Sequence, residues 1–439
     1  GRIFRREVRL VSYKGMEYLQ RKLERRRTRV LERYKFYEMK QVVRDFGIST
    51  PPSLQYFMGT LGWCAKAVDT LADRLIFRGF DRDTDLLGLG EIFGANNPDL
   101  LYDAGILGAL ISSCDFLYIY PGEDGYPRIQ VIDGGNATGI MDLDTWLLTE
   151  GYAVLERDKA GKATVEAYFT PDQTEIHRAG DGTVEIYPNP APYPLLVPLV
   201  YRPDATRPFG HSRISRACMD IMASALRTVK RSEISAEFYA FPQKYVTGLS
   251  PDADGLEKWK ASMSSMMAFT KDEDGDSPKL GQFQQQTMEP HLSQLRMFAA
   301  LFAGETGLTL DDLGFATENP SSSEAIKAAH ENLRISARKA QRCFGAGFLN
   351  AGYLAACLRD GYPYRRLVIR DIVPRWEPVF EPDAAGLSSI GDGAIKLNQA
   401  VPGFFDAQSL RNMTGVEPGA GAGEAAAGPE ETAAGTGER

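Results

Sequence analysis

Four histidines are the chain's whole supply of imidazole: His177, His211, His291 and His330. His330-Glu331 has no second histidine four residues after the first, so two imidazoles cannot share a helix face around a zinc ion. No Gly-rich loop ends in Gly-Lys-Ser/Thr, which removes the standard phosphate cradle, and no Gly-x-Ser-x-Gly supplies a nucleophile elbow. Asp81-Arg82-Asp83-Thr84-Asp85 opens like a calcium loop. It fails at Leu86, where the sharp turn needs Gly, and at Ile92, where the bidentate Glu belongs. It reads as a polar turn. Asp311-Asp312 could pair on a metal, yet nothing nearby adds ligands at a regular spacing. The sequence therefore assigns no catalytic residue, no metal site and no cofactor, and gives no sign of an enzyme.

The elements that hold the acidic pair are more informative. Met288 to Gly361 reads as helix, acidic loop, long helix. The first helix carries an apolar stripe at Leu292, Leu295, Phe298, Ala299 and Phe302, and Gly304 and Gly307 weaken its end. The loop runs from Thr309 to Pro320. Ser321 with Glu324 then forms a capping box, in which hydroxyl and carboxylate each satisfy an orphan helix N–H. Ile326, Leu333, Ala337, Ala340, Phe344, Phe348, Ala351, Leu354 and Leu358 extend a stripe to Arg359, a helix of roughly 55–60 Å at 1.5 Å per residue. Taken alone, this is an ordinary surface loop before a core helix. Its length also suits a strut that presents the loop to something.

Composition bounds the rest. The chain has 439 residues, 43% hydrophobic and 25% charged, enough for two or three cores. Net charge is −8 and the pI about 5.3, without the basic excess of a sequence-independent nucleic-acid binder. Five cysteines lie scattered with no Cys-x-x-Cys pair, which points to a reducing compartment. No apolar run reaches the ~18–20 residues of a membrane span. The start, Gly1-Arg2-Ile3-Phe4, lacks an initiator Met and a signal core, as if trimmed or processed.

In chain order, 16–45 is a charged helix whose basic run, Arg21 to Arg29, interleaves with Glu24, Glu32 and Glu38. The expectation is a solvated face with i,i+4 pairing. A second helix over 53–77 buries Phe57, Leu61, Cys64, Val68, Leu71 and Leu75, and a third covers 98–113. From 115 the period changes to strands at 116–120, 128–132, 145–157, 163–169, 174–178 and 183–187, with hairpin turns at 158–161 and 180–182. Residues 188–210 are proline-rich and extended. A long helix follows to about Phe241, one face apolar, the other holding Arg216, Arg227, Lys230 and Arg231. The small excursion 243–287 has a strand at 243–246, a helix with Trp259, Met263, Met266 and Met267, and an acidic turn at Asp272 and Asp274. So small an insert has little to bury that stripe against except another chain. Residues 362–415 carry a strand-like 366–370 and two short helices. The Gly-, Ala- and Glu-rich end should be disordered.

Several segments together resemble the portal proteins of tailed double-stranded-DNA bacteriophages of the long non-contractile-tail type. These are Val68-Asp69-Thr70-Leu71-Ala72-Asp73-Arg74-Leu75 with Phe77-Arg78-Gly79-Phe80; Tyr168-Phe169-Thr170-Pro171-Asp172; Val197-Pro198-Leu199-Val200 with Phe209-Gly210-His211-Ser212-Arg213-Ile214; and Leu313-Gly314-Phe315 with Asn319-Pro320-Ser321. Their order and spacing carry the match; Cys64 and His211 are not typical of it. The resemblance implies an α+β chain: a mainly helical portal fold with an antiparallel β wing, long stem and tunnel helices and a small α/β clip. It divides the chain into a helical part of the wing (1–115), a β-rich wing (116–210), a stem helix (211–242), the clip (243–287), a second stem helix (288–308), a tunnel loop (309–320), a long wing or tunnel helix (321–361), a crown (362–415) and a tail (416–439).

It also implies a self-assembled ring, usually a dodecamer, at the unique capsid vertex of the virion, built in the host cytoplasm. DNA passes through the axis during packaging and ejection. Partners would be terminase, a head–tail adaptor, and the major capsid and scaffolding proteins, with no membrane. Asp311, Asp312, Glu318 and Asn319 would line the tunnel. Arg227, Lys230 and Arg231 would add a weak basic band or pair with Glu233 and Glu237. Trp259, Met263, Met266, Met267, Asp272 and Asp274 would form the clip interface. The alternative is another oligomeric head–tail connector or tail-assembly ring on the same helices, although adaptors are usually shorter chains.

Overall fold

The computed structural model describes residues 13–42, 59–240, 244–247, 279–282, 287–315 and 328–417. In chain order the elements are α1 (Met16–Tyr37), α2 (Trp63–Ala72), β1 (Phe77–Asp81), α3 (Leu89–Gly94), α4 (Pro98–Ser112), β2 (Cys114–Tyr120), β3 (Arg128–Ile132), β4 (Ala137–Met141), β5 (Leu148–Arg157), β6 (Ala163–Phe169), β7 (Gln173–Arg178), β8 (Val184–Pro188) and β9 (Leu196–Val200). Then come α5 (Arg216–Ala240), β10 (Lys244–Thr247), β11 (Lys279–Gln282), α6 (Glu289–Thr306), α7 (Glu331–Asp360), β12 (Val373–Trp376), α8 (Ala384–Ala400) and α9 (Ala407–Thr414). Helices and antiparallel sheets mix, as an α+β chain requires. Two compact units result. One comprises Gly1–Tyr37, Ala65–Ser215 and Ser321–Arg439; the other comprises Glu38–Cys64 and Arg216–Pro320.

The first unit holds a five-stranded meander, β4-β5-β6-β7-β8, and a three-stranded sheet, β3-β2-β9. Both expected hairpin turns form: Gly161 at φ 81° and Gly182 at φ 69° adopt the left-handed backbone that such tight turns demand. The proline-rich stretch contributes β9, with Pro198 opposite Phe116. Proline is tolerated there because β9 is an edge strand, whose outer side needs no ladder hydrogen bond. Phe116, Leu148, Ala153, Phe169 and Leu196 meet in one core cluster. A second cluster packs Leu19 and Leu23 of α1 against Tyr152, Val154 and Tyr168. Glu150, 2% exposed, fixes the start of α1. Its carboxylate accepts from the Lys14 and Gly15 backbone N–H groups at 2.9 and 3.1 Å and from the Tyr168 hydroxyl at 3.0 Å.

Helix α7 buries the expected stripe from Leu333 to Leu354. A Cβ on Gly347 would stand 2.7 Å from Leu199 Cδ1, so glycine here lets α7 approach β9 closely. His330 interrupts the helix with a turn, after helical Ala328 and Ala329; the 30 continuous helical residues from Glu331 span roughly 45 Å, and residues 321–327 lie outside the described residues. The capping box of Ser321 and Glu324 lies outside the described residues, as do Phe57 and the clip helix.

Four more expectations are corrected. Helix 16–45 ends at Tyr37, and helix 53–77 ends at Ala72. Phe77 instead starts β1, its ring among Tyr102, Phe348 and Trp376 at 4.6, 5.0 and 4.7 Å. The strand expected from Thr145 begins at Leu148, because Asp142 to Leu147 close a turn. Residues 366–370 are not a strand but a 3-10 turn, Arg366–Ile369. Leu367 points outward at 71% exposure, while Arg366 donates to the Thr145 carbonyl and to Asn350 Oδ1 at 2.7 and 3.0 Å. The strand of this region is β12, which pairs with β1.

In the second unit α5 and α6 pack together, joined by Thr228 Oγ1 donating to Gln294 Oε1 at 3.0 Å and by Ser235 Oγ with His291 Nε2 at 3.2 Å. Strands β10 and β11 pair antiparallel. On α6, Ala299 and Phe302 are buried as expected. Of the predicted stripe Leu292 is about half exposed, as are Met297 and Leu301 outside it.

Candidate functional site

Two charged regions are candidates, one in each unit. In the second unit, α6 ends at Gly307 and the chain turns through the 3-10 segment Asp311–Leu313. Thr309 donates its backbone N–H and its hydroxyl to Asp312 Oδ2 at 2.8 and 2.9 Å. The Asp312 N–H donates back to Thr309 Oγ1 at 3.2 Å. This is a capping box closed by aspartate. Leu313 is buried below it, and Phe315 lies against Trp63, which in turn meets Phe302. Asp311 is exposed and Asp312 half-buried. The two aspartates that sequence reading treated as equals thus differ: Asp312 builds the turn and Asp311 faces out. Glu318 and Asn319 lie outside the described residues.

The proposed basic band sits on α5. Arg227, Lys230 and Arg231 are half-buried. Arg227 donates to Ser224 Oγ at 2.8 Å, and all three are engaged by partners. Trp259, Met263, Met266, Met267, Asp272 and Asp274 lie outside the described residues. Among the described residues no group of three or more His, Cys, Asp or Glu could hold a metal ion, and no helix is long and apolar enough to cross a membrane.

The second region is on α1, and here the structure corrects the sequence reading. Among the described residues, only Arg21 of the run makes the expected i,i+4 pair, with Glu17 at 3.1 Å. Among the described residues, Lys22, Arg25, Arg26, Arg29 and Arg33 form no ion pair with a carboxylate. Instead they wall a cleft of about 560 Å³, closed on the other side by Ser112, Ser113 and Thr206 to Gly210. Gly210, at φ 72°, turns this segment so tightly that a Cβ would stand 2.1 Å from the Tyr201 carbonyl oxygen. The turn sets Phe209 beside α1: Lys22 Nζ lies 4.8 Å and the Arg26 guanidinium 5.5 Å from its ring centre. Backbone carbonyls take one donor from each buried cation. Lys22 donates to Gly139 at 2.6 Å, Arg26 to Cys114 at 2.8 Å and Arg33 to Ser112 at 2.9 Å.

Electrostatics records the crowding. Burial, then Arg26 and Lys14, lowers the Lys22 ammonium to about 8. Burial, then Arg26, Arg29 and Arg207, lowers Arg33 to about 10. Behind the cleft, Asp115 is buried and accepts from the Ser112 hydroxyl at 2.6 Å and the Gly134 N–H at 2.9 Å. Burial raises its carboxyl to about 7. The sequence did hold a signal. At 3.6 residues per turn, positions 22, 25, 26, 29 and 33 fall in an arc of about 100°, with Glu24 on the far side.

No family model matches the chain. The portal protein of mycobacteriophage D29 is 24% identical over 405 residues, covering 87% of this chain and 81% of that protein. The portal protein of mycobacteriophage L5 is 24% identical over 387 residues, covering 82% and 77%. Solved structures with similar chains include the virion of a native gene transfer agent particle (TM-score 0.43, 13% identity, 89% of this chain and 99% of that one). Another is the neck of the native particle, computed with C12 symmetry (TM-score 0.43, 14% identity, 81% and 90%). The relatives bear the name that the chain's own motifs pointed to, and over most of its length the chain is similar to the portal proteins of these two mycobacteriophages.

Proposed function

We propose that copies of this chain close into a ring, a dodecamer, at one vertex of a phage capsid, and that double-stranded DNA passes through its axis during packaging and ejection without a catalytic step in this chain. The observation that carries the reading is the match to two phage portal proteins across most of both chains. The half-exposed Leu292, Met297 and Leu301 of α6 support it, because a neighbouring copy would bury them. Head-to-tail contacts between identical copies close into rings when the rotation closes.

In this reading α5 and α6 are the stem, residues 243–287 the clip that docks terminase and later a head–tail adaptor, and residues 309–320 the tunnel loop. The β-rich part is the wing and 362–415 the crown, with major capsid and scaffolding proteins around them. The particle is assembled in the host cytoplasm. A channel through which DNA moves must not neutralise phosphates, since each one neutralised adds affinity through counterion release. Asp311, exposed and multiplied by the number of subunits, repels the backbone, with Glu318 beside it in sequence. Asp312 holds the turn that presents Asp311. Arg227, Lys230 and Arg231 pair within the protein rather than gripping DNA.

The test is Asp311→Lys alone, which spares the capping box. Rings should form normally while packaged-DNA yield falls; normal yield would remove the repulsive lining. Trp259→Ala should weaken ring formation or terminase binding, and both unchanged would remove the clip assignment.

A further inference from the structure

The cleft on α1 is not needed by the channel reading, and its charge is unexplained by the fold. Arg25 and Arg29 are exposed and make no hydrogen bond or ion pair among the described residues, so the helix does not require them for its own stability. Lys22, Arg26 and Arg33 do anchor α1, yet each keeps donors beyond the single one given to a carbonyl. Arg207 adds a sixth cation from the opposite wall. Arg21 on the same wall pairs with Glu17, and Arg207 meets His211, whose other ring nitrogen holds Asp204. The six cations themselves make no direct ion pair with a carboxylate among the described residues and repel one another. They do so in a chain whose net charge is −8. Such an unbalanced cluster in a concave site is the footprint of an anionic partner.

We propose that this cleft binds the phosphodiester backbone of nucleic acid, through Arg25, Arg29 and Arg207 at its rim and Lys22, Arg26 and Arg33 at its floor. Length argues for a polyanion. From Arg25 to Arg33 the helix advances about 12 Å, and one DNA strand carries a charge about every 3.4 Å. Because that spacing is measured along the duplex axis, the row can meet more than one phosphate, whereas a single anion would meet one or two of the cations. Five of the six are arginines, whose planar forks take two phosphate oxygens at once. An acidic peptide offers the same charge, and the choice of DNA over it rests on the portal reading. The cleft's geometry does not.

The experiment uses the purified full chain and a labelled DNA duplex of about 12 base pairs, followed by anisotropy across a salt series. The oligomeric state is imaged in the same preparation. Binding should weaken linearly in log–log form as salt rises. R25Q/R29Q should flatten the slope by about 2 and weaken binding at least about tenfold at low salt; R207Q should flatten it by about 1. R370Q, outside the cleft, should leave both unchanged. Inorganic phosphate at the same ionic strength should not compete, and a poly-glutamate peptide of equal charge should compete poorly. Three results would overturn the proposal: no salt-dependent binding, a slope unchanged in both cleft variants, or poly-glutamate binding tighter than DNA. A missing ring with the cleft effects intact would instead sink the portal reading and leave a backbone-binding cleft.

Discussion

The acidic turn at 309–315 and the basic face of α1 look alike in sequence: each is a short run of like charge beside a helix. In the structure they part. Asp312 finds its partner three residues away, in Thr309, and becomes part of the backbone's own hydrogen bonding. Among the described residues, Lys22, Arg26 and Arg33 of α1 form no ion pair with a carboxylate and meet segments that are 79 to 117 residues distant in sequence. A charge satisfied locally is structural. A charge held in place by distant carbonyls, with donors to spare, is available for a partner.

The largest effect is expected on α1's apolar side. Leu23→Ala removes a side chain 3% exposed against Tyr152, Val154 and Tyr168. It should destabilise the chain by about 2–5 kcal/mol in denaturant titration. It should also lower cleft binding together with stability, while the 309–315 turn stays native. A cost under about 1 kcal/mol would mean that the sheet does not hold α1.

A smaller effect separates the two aspartates. Asp312→Ala removes the acceptor of the capping box and should cost about 1 kcal/mol. Asp311→Ala, on an exposed side chain, should fall within about 0.5 kcal/mol of the original. Equal losses would return the two residues to the equivalence that their sequence implies.

The smallest effect concerns pH. Lys22, lowered to about 8 by burial and by Arg26 and Lys14, with Glu150 acting weakly the other way, sheds its proton more readily when folded than when unfolded. The unfolded chain then binds more protons between about pH 8 and 10, so this residue's penalty is relieved as pH rises through that window. Unfolding curves should show a stability gain over that range that Lys22→Met abolishes. An identical pH profile in the variant would contradict the crowding described for the cleft.

Much of this was legible in the residues. Hairpin turns announce themselves through Asp158-Lys159-Ala160-Gly161 and Gly180-Asp181-Gly182, because positive φ leaves few residue types. The α7 stripe is visible because thirty residues repeat one period. β1 and β12 were not legible: each is five residues or fewer, and they pair across nearly 300 positions with no turn to mark them. The mistaken strand at 366–370 is the same failure inverted, since Leu367 and Val368 look strand-like without a sheet to join. The cleft was half legible. Helical periodicity puts its cations on one face, but only the fold shows that Phe209 and the Ser112 and Cys114 carbonyls, not glutamates, come to meet them.

In the proposed reading, identical copies of this chain assemble around a hole. The most direct measurement is native mass determination of the purified full chain, with particle images from the same sample. A closed ring of twelve times the 48.4 kDa chain mass, with a central opening, is expected. A stable 48.4 kDa monomer without an opening would contradict it.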